Sequence, residues 1–169
     1  MCKAKLTESA GSEMAGQKVT GMRILVLCTG NSARSQMAEG LFRAAGCGAW
    51  EVSSAGTRPS AVRPEAIAVM REIGIDISAH RSKSVDEFAG QSFDYVVTVC
   101  DNARDACPVF PGAVKRIHWG FEDPAAVEVP DDLRLAAFRH IRDRVRERVM
   151  EFARQNAQPG VGFNTEQQR

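Results

Sequence analysis

Hydrophobic and polar positions alternate along the middle of the chain in blocks that fit strands followed by helices. Short apolar runs predict strands at Arg23–Leu27, Trp50–Ser54, Phe93–Val99 and Val114–His118. Amphipathic or capped stretches predict helices at Ala33–Ala45, Pro64–Ile73 and Asp131–Gln155. Alternating strands and helices are typical of parallel βαβ units. We therefore expect an α/β fold, a single three-layer domain with a four-stranded parallel sheet flanked by helices.

The two ends of the chain lack this pattern. Residues 1–22 are rich in Ser, Gly, Lys and Glu, and they predict a flexible N-terminal extension. Residues 156–169 are polar and interrupted by Gly and Pro, so they predict a disordered C-terminal tail. The folded domain is expected at residues 23–155, and a chain of 169 residues is most economically one domain.

Composition narrows the functional classes. A net charge of +1 gives no reason to expect nucleic acid or a membrane surface as a partner. No apolar run reaches the length of a membrane span, and the N-terminus lacks the apolar region of a signal peptide, which predicts a cytoplasmic protein. Five scattered cysteines argue against a secreted disulfide scaffold, and neither a Cys-x-x-Cys pair nor a histidine cluster suggests a metal.

The segment RILVLCTGNSARS places Cys28 at the end of the first strand, where ligands bind in parallel sheets. Loop amides and the following helix N-terminus form an anion cradle, and Arg34 adds a forked donor. The positive potential of these amides and of the helix N-terminus should also lower the pKa of the Cys28 thiol. The Ser35 hydroxyl can donate a hydrogen bond to the thiolate. The expected oxyanion-binding residues are Thr29, Gly30, Asn31, Ser32, Ala33, Arg34 and Ser35. The alternative, a structural cysteine before an ordinary turn, is disfavoured by Arg-Ser at this spacing.

The loop CTGNSARS resembles the Cys-x5-Arg-Ser motif of the low-molecular-weight protein tyrosine phosphatases and of the arsenate reductases that share their fold. The resemblance extends from about Arg23 to Phe152. The loop motif alone does not separate the two activities.

A second segment, VVTVCDNARDACPVFPG, places Cys100 at the end of a strand and Cys107 seven positions later. Asp101 is predicted to cap a short helix between them. Cys100 at the positive helix end would be the readier thiolate, and Cys107 the more protonated thiol. Two ordinary semi-buried cysteines are the alternative. Together with HWGFEDPA (118–125), the segment is similar to the thioredoxin-coupled arsenate reductases.

This resemblance implies reduction of arsenate to arsenite without a bound cofactor. Cys28 would be the nucleophile, Arg34 the oxyanion ligand and Asp123 the general acid. An intermediate Cys28–Cys100 disulfide would give way to a final Cys100–Cys107 disulfide, which thioredoxin reduces with electrons from thioredoxin reductase and NADPH. Typical phosphatases of this fold carry aromatic residues after their Asp-Pro, whereas alanines follow here.

The chain departs from these relatives at two points. Some have a further loop cysteine where this chain has Ala33, and its loss should be harmless because three thiols complete the relay. Some bind potassium through groups that match Asn31, Glu39 and Ser54, together with an acidic residue at the position of Lys83. We expect no metal, because the Lys83 ammonium can replace the cation; an ordinary surface lysine is the alternative.

Two other functions stay open from the sequence. A low-molecular-weight phosphatase would use the same loop and Asp123, with water in place of Cys100. A non-enzymatic thiol redox sensor would use its cysteines only to report oxidation. His80 and His118 are expected to satisfy local hydrogen bonds rather than take part in catalysis.

Overall fold

The structure, a computed structural model, describes residues 21–112, 114–126 and 128–156. The predicted extension (1–22) and tail (156–169) lie outside the described residues, apart from Gly21, Met22 and Asn156. Within the described ranges, none of the helices is both long and apolar enough to cross a membrane.

Strands and helices alternate along the described chain, with a short 3-10 helix added at Val85–Phe88. The strands are β1 (Arg23–Cys28), β2 (Glu51–Gly56), β3 (Tyr95–Thr98) and β4 (Lys115–His118). The helices are α1 (Arg34–Gly46), α2 (Pro64–Arg71), α3 (Asp101–Asp105) and α4 (Asp131–Asn156). The four predicted strands and three long predicted helices are confirmed, with ends that differ by at most two residues.

The strands form one sheet in the order β2-β1-β3-β4, and every neighbouring pair is parallel. The predicted fold class, a single α/β domain with a four-stranded parallel sheet flanked by helices, is confirmed. Ile24 to Leu27 of the inner strand β1 are fully buried, as expected for a parallel strand covered on both faces.

Helix α4 packs through one apolar stripe. Its buried stripe consists of Phe138, Ile141, Val145, Val149 and Phe152, at the spacing that places residues on one helix face. Asp131 and Asp132 occupy its first turn, where negative charge is favourable. The helix packs against α1 and α2.

Strand order reverses beside β1, because the chain first goes to β2 on one side and then to β3 on the other. Ligands bind at such a switch point, outside the carboxyl ends of the strands. Cys28 ends β1, and Cys100 lies two residues beyond the end of β3. The topology therefore brings the first two thiols to the same crevice.

Candidate active site

The Cys28 thiol is buried at the end of β1 and is contacted by two hydrogen-bonding groups. Its Sγ lies 2.9 Å from Ser35 Oγ and accepts a hydrogen bond from the Asn31 N–H at 3.0 Å. Asn31 adopts the left-handed conformation, with φ of 46°, which few residues other than glycine tolerate. This turn directs the Asn31 amide back toward the sulfur.

The loop after Cys28 presents its carbonyls to the segment that follows β2. The N–H groups of Thr57 and Arg58 donate to the carbonyls of Cys28 and Thr29, at 3.2 and 2.9 Å. Further along the same segment, residues 60 and 63 donate in the same way to the carbonyls of residues 30 and 32, at 3.0 and 2.9 Å. In a planar trans peptide unit the C=O and N–H groups point in opposite directions. Because the segment after β2 binds the loop carbonyls on one side, the following N–H groups lie on the other side of the loop. Sequence reasoning missed this second segment; the signal for it was that β2, like β1, ends at this edge.

Buried polar side chains hold the loop from below. Asn31 Nδ2 donates to Ser35 Oγ and to Ser54 Oγ, both at 2.9 Å. Ser54 in turn donates to Glu39 Oε2 at 2.5 Å. Since Ser35 Oγ accepts from Asn31, its own hydrogen is available to the Cys28 sulfur. A continuous hydrogen-bonded chain thus connects the Glu39 carboxylate to the thiol.

Lys83 lies against this network rather than in open solvent. Its Nζ is 3.3 Å from Glu39 Oε2 and donates to the Arg81 carbonyl at 3.2 Å, with the side chain 13% exposed. Its backbone N–H donates to Asn31 Oδ1 at 2.8 Å. The geometry agrees with the hypothesis that the ammonium stands where a cation would bind.

Burial dominates the acidity of the nucleophile. It raises the pKa of the Cys28 thiol above its ordinary value of 9.0, and the hydrogen bonds from Ser35 and Asn31 oppose the shift without overcoming it. The nearby Cys100 raises the pKa further, while Arg34 lowers it. The expectation of a lowered pKa is therefore wrong for the substrate-free site, because sequence reasoning weighed the loop dipoles and left out burial.

Arg34 connects the Cys28 loop to the loop that carries Asp123. Arg34 Nη1 donates to the Phe121 carbonyl at 2.9 Å, and Nη2 lies 3.3 Å from Asp123 Oδ2. The Arg34 side chain is mostly buried, whereas that of Asp123 is 44% exposed. Asp123 also accepts from the Ala125 N–H at 3.0 Å, which fixes its carboxylate at the mouth of the site.

Cys100 is buried beside the same loop. Its Sγ lies 3.4 Å from Thr29 Oγ1, one residue after Cys28. The structure thus brings together Cys28, Arg34, Asp123 and Cys100.

Helix α3 begins one residue earlier than predicted. Cys100, in an extended conformation, is the N-cap, and the prediction of Asp101 as the cap is wrong. Asp101 instead lies in the first turn, where its carboxylate accepts from His118 Nε2 at 3.0 Å. His118 satisfies local hydrogen bonds, as predicted, and its other ring nitrogen contacts Thr98 Oγ1 at 2.8 Å.

Cys107 lies beyond the far end of α3 and is half-buried. Its Sγ contacts the Pro108 carbonyl at 3.6 Å. Burial raises the pKa of the Cys107 thiol, and the charge of Arg116 opposes the shift. This agrees with the prediction that Cys107 is a protonated thiol in the resting protein.

Comparison with known proteins places this geometry in a family. The model of the low molecular weight phosphotyrosine protein phosphatase family matches residues 23–159. A curated arsenate reductase of Halalkalibacterium halodurans is 47% identical over 130 residues, covering 77% of this chain and 94% of the relative. The chain belongs to the low molecular weight phosphotyrosine protein phosphatase family, as the loop motif indicated.

Solved structures of both kinds of enzyme share the fold. One described as an arsenate reductase in the phosphate binding state has a TM-score of 0.62 at 34% identity and covers 79% of this chain and 98% of its own. A low molecular weight protein tyrosine phosphatase from T. tengcongensis has a TM-score of 0.63 at 26% identity, with coverage of 80% and 99%. The fold therefore does not by itself choose between the two activities.

Proposed function

We propose that the protein is an arsenate reductase that works through Cys28, Cys100 and Cys107 in turn. The observation that carries the proposal is the second buried thiol, Cys100, at 3.4 Å from the hydroxyl of Thr29 in the nucleophile loop. A phosphatase with this loop needs only the first thiol. The identity of 47% with a curated arsenate reductase supports the same conclusion.

Arsenate would bind in the loop 29–35, whose outward carbonyls leave backbone amides for an oxyanion. The Arg34 guanidinium would turn its fork from Asp123 to the arsenate oxygens. The Cys28 thiolate then attacks arsenic, and an arsenic–sulfur bond forms as an arsenic–oxygen bond breaks. Asp123, released from Arg34 and protonated, gives its proton to the departing oxygen, which leaves as water.

The second step is the reduction itself. The Cys100 thiolate attacks the Cys28 sulfur, and a Cys28–Cys100 disulfide forms. The electron pair of the arsenic–sulfur bond stays on arsenic, so arsenic(V) becomes arsenic(III) and leaves as arsenite. The two sulfurs supply the two electrons.

The third step restores the nucleophile. The Cys107 thiolate attacks Cys100, releases the Cys28 thiolate and leaves a Cys100–Cys107 disulfide. The dithiol of thioredoxin, kept reduced by thioredoxin reductase and NADPH, would reduce this disulfide, so no bound cofactor or metal is required. We assign the reaction to the cytoplasm, where thioredoxin would supply the electrons, and the catalytic domain to residues 23–155.

One set of assays separates the candidate functions. Purified protein is supplied with arsenate, thioredoxin, thioredoxin reductase and NADPH, and, separately, with an aryl phosphate. A reductase oxidises NADPH in proportion to arsenite formed, and the constellation of Cys28, Arg34 and Asp123 predicts weak aryl phosphate cleavage beside it. A phosphatase would cleave the ester alone, and a redox sensor would turn over neither substrate. Either of these last results would overturn the proposal.

A further inference from the structure

His118, the last residue of β4, joins the sheet to α3. Its Nδ1 lies 2.8 Å from Thr98 Oγ1 at the end of β3, and its Nε2 lies 3.0 Å from Asp101 Oδ1 in α3. The ring is 27% exposed, and Gly120 packs over it closely enough that a Cβ there would lie 3.4 Å from Nε2. Both ring nitrogens are therefore engaged, and the orientation of the ring is fixed.

Among the described residues, this contact is the one side-chain hydrogen bond that joins α3 to another element. Arg104, by contrast, pairs within the helix with Asp101 and Asp105. A helix of five residues is marginal without tertiary support. His118 therefore supplies a specific anchor to the first turn of α3, directly beside Cys100.

The face of α3 that meets β4 is loosely packed. A cavity of about 150 Å³ lies there, and its lining runs from Thr98 and His118, near the Cys100 end, to Arg104, Cys107 and Arg116. Cys107 is half-buried at its edge. Because the cavity leaves α3 little packing against β4, the hydrogen bond from His118 to Asp101 holds the Cys100 end, whereas Arg104 and Asp105 at the other end pair within the helix. This asymmetry favours opening from the Cys107 end.

We propose that His118 is a positioning residue of the thiol relay. It holds the first turn of α3 against the sheet, so that Cys100 keeps facing Cys28 while the Cys107 end unwinds. The inference rests on the proposed three-thiol function. His118 touches neither the substrate nor a reacting sulfur; it acts through Asp101, the residue next to Cys100.

A single-turnover experiment tests the role. In a Cys107→Ser background without thioredoxin, each protein molecule should release one arsenite as the Cys28–Cys100 disulfide forms. His118→Ala should slow this release about tenfold, since one anchoring hydrogen bond is lost. Aryl phosphate cleavage, which needs only Cys28, Arg34 and Asp123, should change less than twofold. The matched control is His140→Ala, an exposed histidine on α4 that should alter neither rate.

A double-mutant cycle checks that the effect runs through Asp101. Asp101→Ala should slow arsenite release as His118→Ala does, and the double variant should be no slower than either single one. Equal slowing of arsenite release and ester cleavage by His118→Ala would show a general structural role and overturn the proposal, as would an unchanged release. If His118→Ala folds poorly, the rates of Asp101→Ala alone test the proposal, because the Asp101 side chain is 72% exposed and its loss should not disturb folding.

A substrate-free measurement separates this inference from the proposed function. Amide hydrogen exchange at Arg104 and Asp105 of the reduced protein should accelerate in His118→Ala and not in His140→Ala. Unchanged exchange would overturn the anchor whatever the reaction is. A wild-type protein that released no arsenite would overturn the three-thiol function, even with the anchor confirmed by exchange.

Discussion

At the scale of single residues, the reactivity of Cys28 depends on a balance between burial and hydrogen bonding. Burial raises the pKa of the thiol, and the Ser35 hydroxyl is the largest influence that lowers it. Because the pKa is raised, the thiolate fraction is small at neutral pH and grows as the pH increases. The reactivity of Cys28 should therefore rise with pH through the neutral range.

Ser35→Ala should move this rise to still higher pH. Loss of a hydrogen bond to a charged group costs about 1.5–3 kcal/mol, which corresponds to at least one pKa unit. Alkylation of Cys28, followed by mass spectrometry across a pH series, should be about tenfold slower at pH 7 in the variant. Ser78→Ala, on a remote turn, is the control. If alkylation of Cys28 in Ser35→Ala rose at the same pH as in the wild type, or at a lower pH, this account would be wrong.

The cysteines should divide the work as the relay requires. Cys28→Ser should abolish both arsenate turnover and ester cleavage, because it removes the common nucleophile. Cys100→Ser or Cys107→Ser should stop multiple turnover of arsenate and leave ester cleavage, since the loop and Asp123 remain intact. Coupled NADPH oxidation and aryl phosphate assays measure the two activities. A Cys107→Ser variant that cycled with thioredoxin at the normal rate would show that the three-thiol relay is wrong.

Lys83 should make the enzyme indifferent to potassium. Its Nζ lies 3.3 Å from Glu39 Oε2, while Arg43 pairs with Oε1 of the same carboxylate at 2.6 Å, so positive charge already faces both oxygens. Exchange of potassium for sodium should therefore change wild-type activity little. Lys83→Asp places a second carboxylate beside Glu39, and activity should then depend on potassium. Lys115→Asp, on an exposed edge, is the control; a strong potassium requirement in the unmodified protein would count against the hypothesis.

At the scale of elements, the end of β2 is fitted to the nucleophile loop. Gly56 pairs with Cys28, and a Cβ on Gly56 would lie 2.5 Å from the Thr29 carbonyl oxygen and 2.9 Å from the Asn31 nitrogen. Both neighbours are backbone atoms, so the loop itself must move to make room. The end of β2 and the nucleophile loop are therefore packed so closely that a change in one must move the other.

Gly56→Ala should weaken oxyanion binding and lower the free energy of unfolding by about 1–3 kcal/mol, the usual cost of overpacking. Phosphate competition and thermal unfolding measure the two effects. Gly48→Asn is a suitable control, because Gly48 has a positive φ that asparagine tolerates and nothing lies within 4 Å of its added Cβ. Normal phosphate affinity in Gly56→Ala would show that the loop adapts.

The elements also show where sequence reasoning succeeds and where it stops. The apolar residues of β1 and the apolar stripe of α4 are buried. The hydrophobic pattern therefore predicted both elements and their ends to within one residue. The prediction of Asp101 as the cap of α3 is wrong, because its carboxylate instead accepts a hydrogen bond from His118 at the end of β4, a tertiary contact that no local pattern contains. The support of the loop by residues 57–63 and the burial that raises the pKa of Cys28 are likewise tertiary properties.

At the scale of the whole molecule, a rigid sheet carries one element that must change shape. Helix α3 covers Asp101–Asp105, and four steps at roughly 1.5 Å already separate its end Cα atoms by about 6 Å. Cys100 lies one residue before the helix in an extended conformation, and Cys107 lies two residues after it. A disulfide tolerates no more than about 7 Å between Cα atoms. We therefore expect α3 to be incompatible with a Cys100–Cys107 disulfide, so that the segment unwinds when the second disulfide forms.

Unwinding should leave the rest of the molecule unchanged. Helix α3 adds one buried residue, Ala103, to the core beside β1, and so short a helix costs little to open. Opening would also carry the disulfide toward solvent, where thioredoxin can reach it. Amide exchange within Asp101–Ala106 should accelerate markedly in the oxidised protein, most strongly toward Cys107 because His118 holds the first turn, whereas Arg23–Leu27 and α4 should keep their protection. The Cys107→Ser variant, which cannot form the second disulfide, should keep the slow exchange under the same oxidation. Equal protection of Asp101–Ala106 in both redox states would exclude the unwinding step.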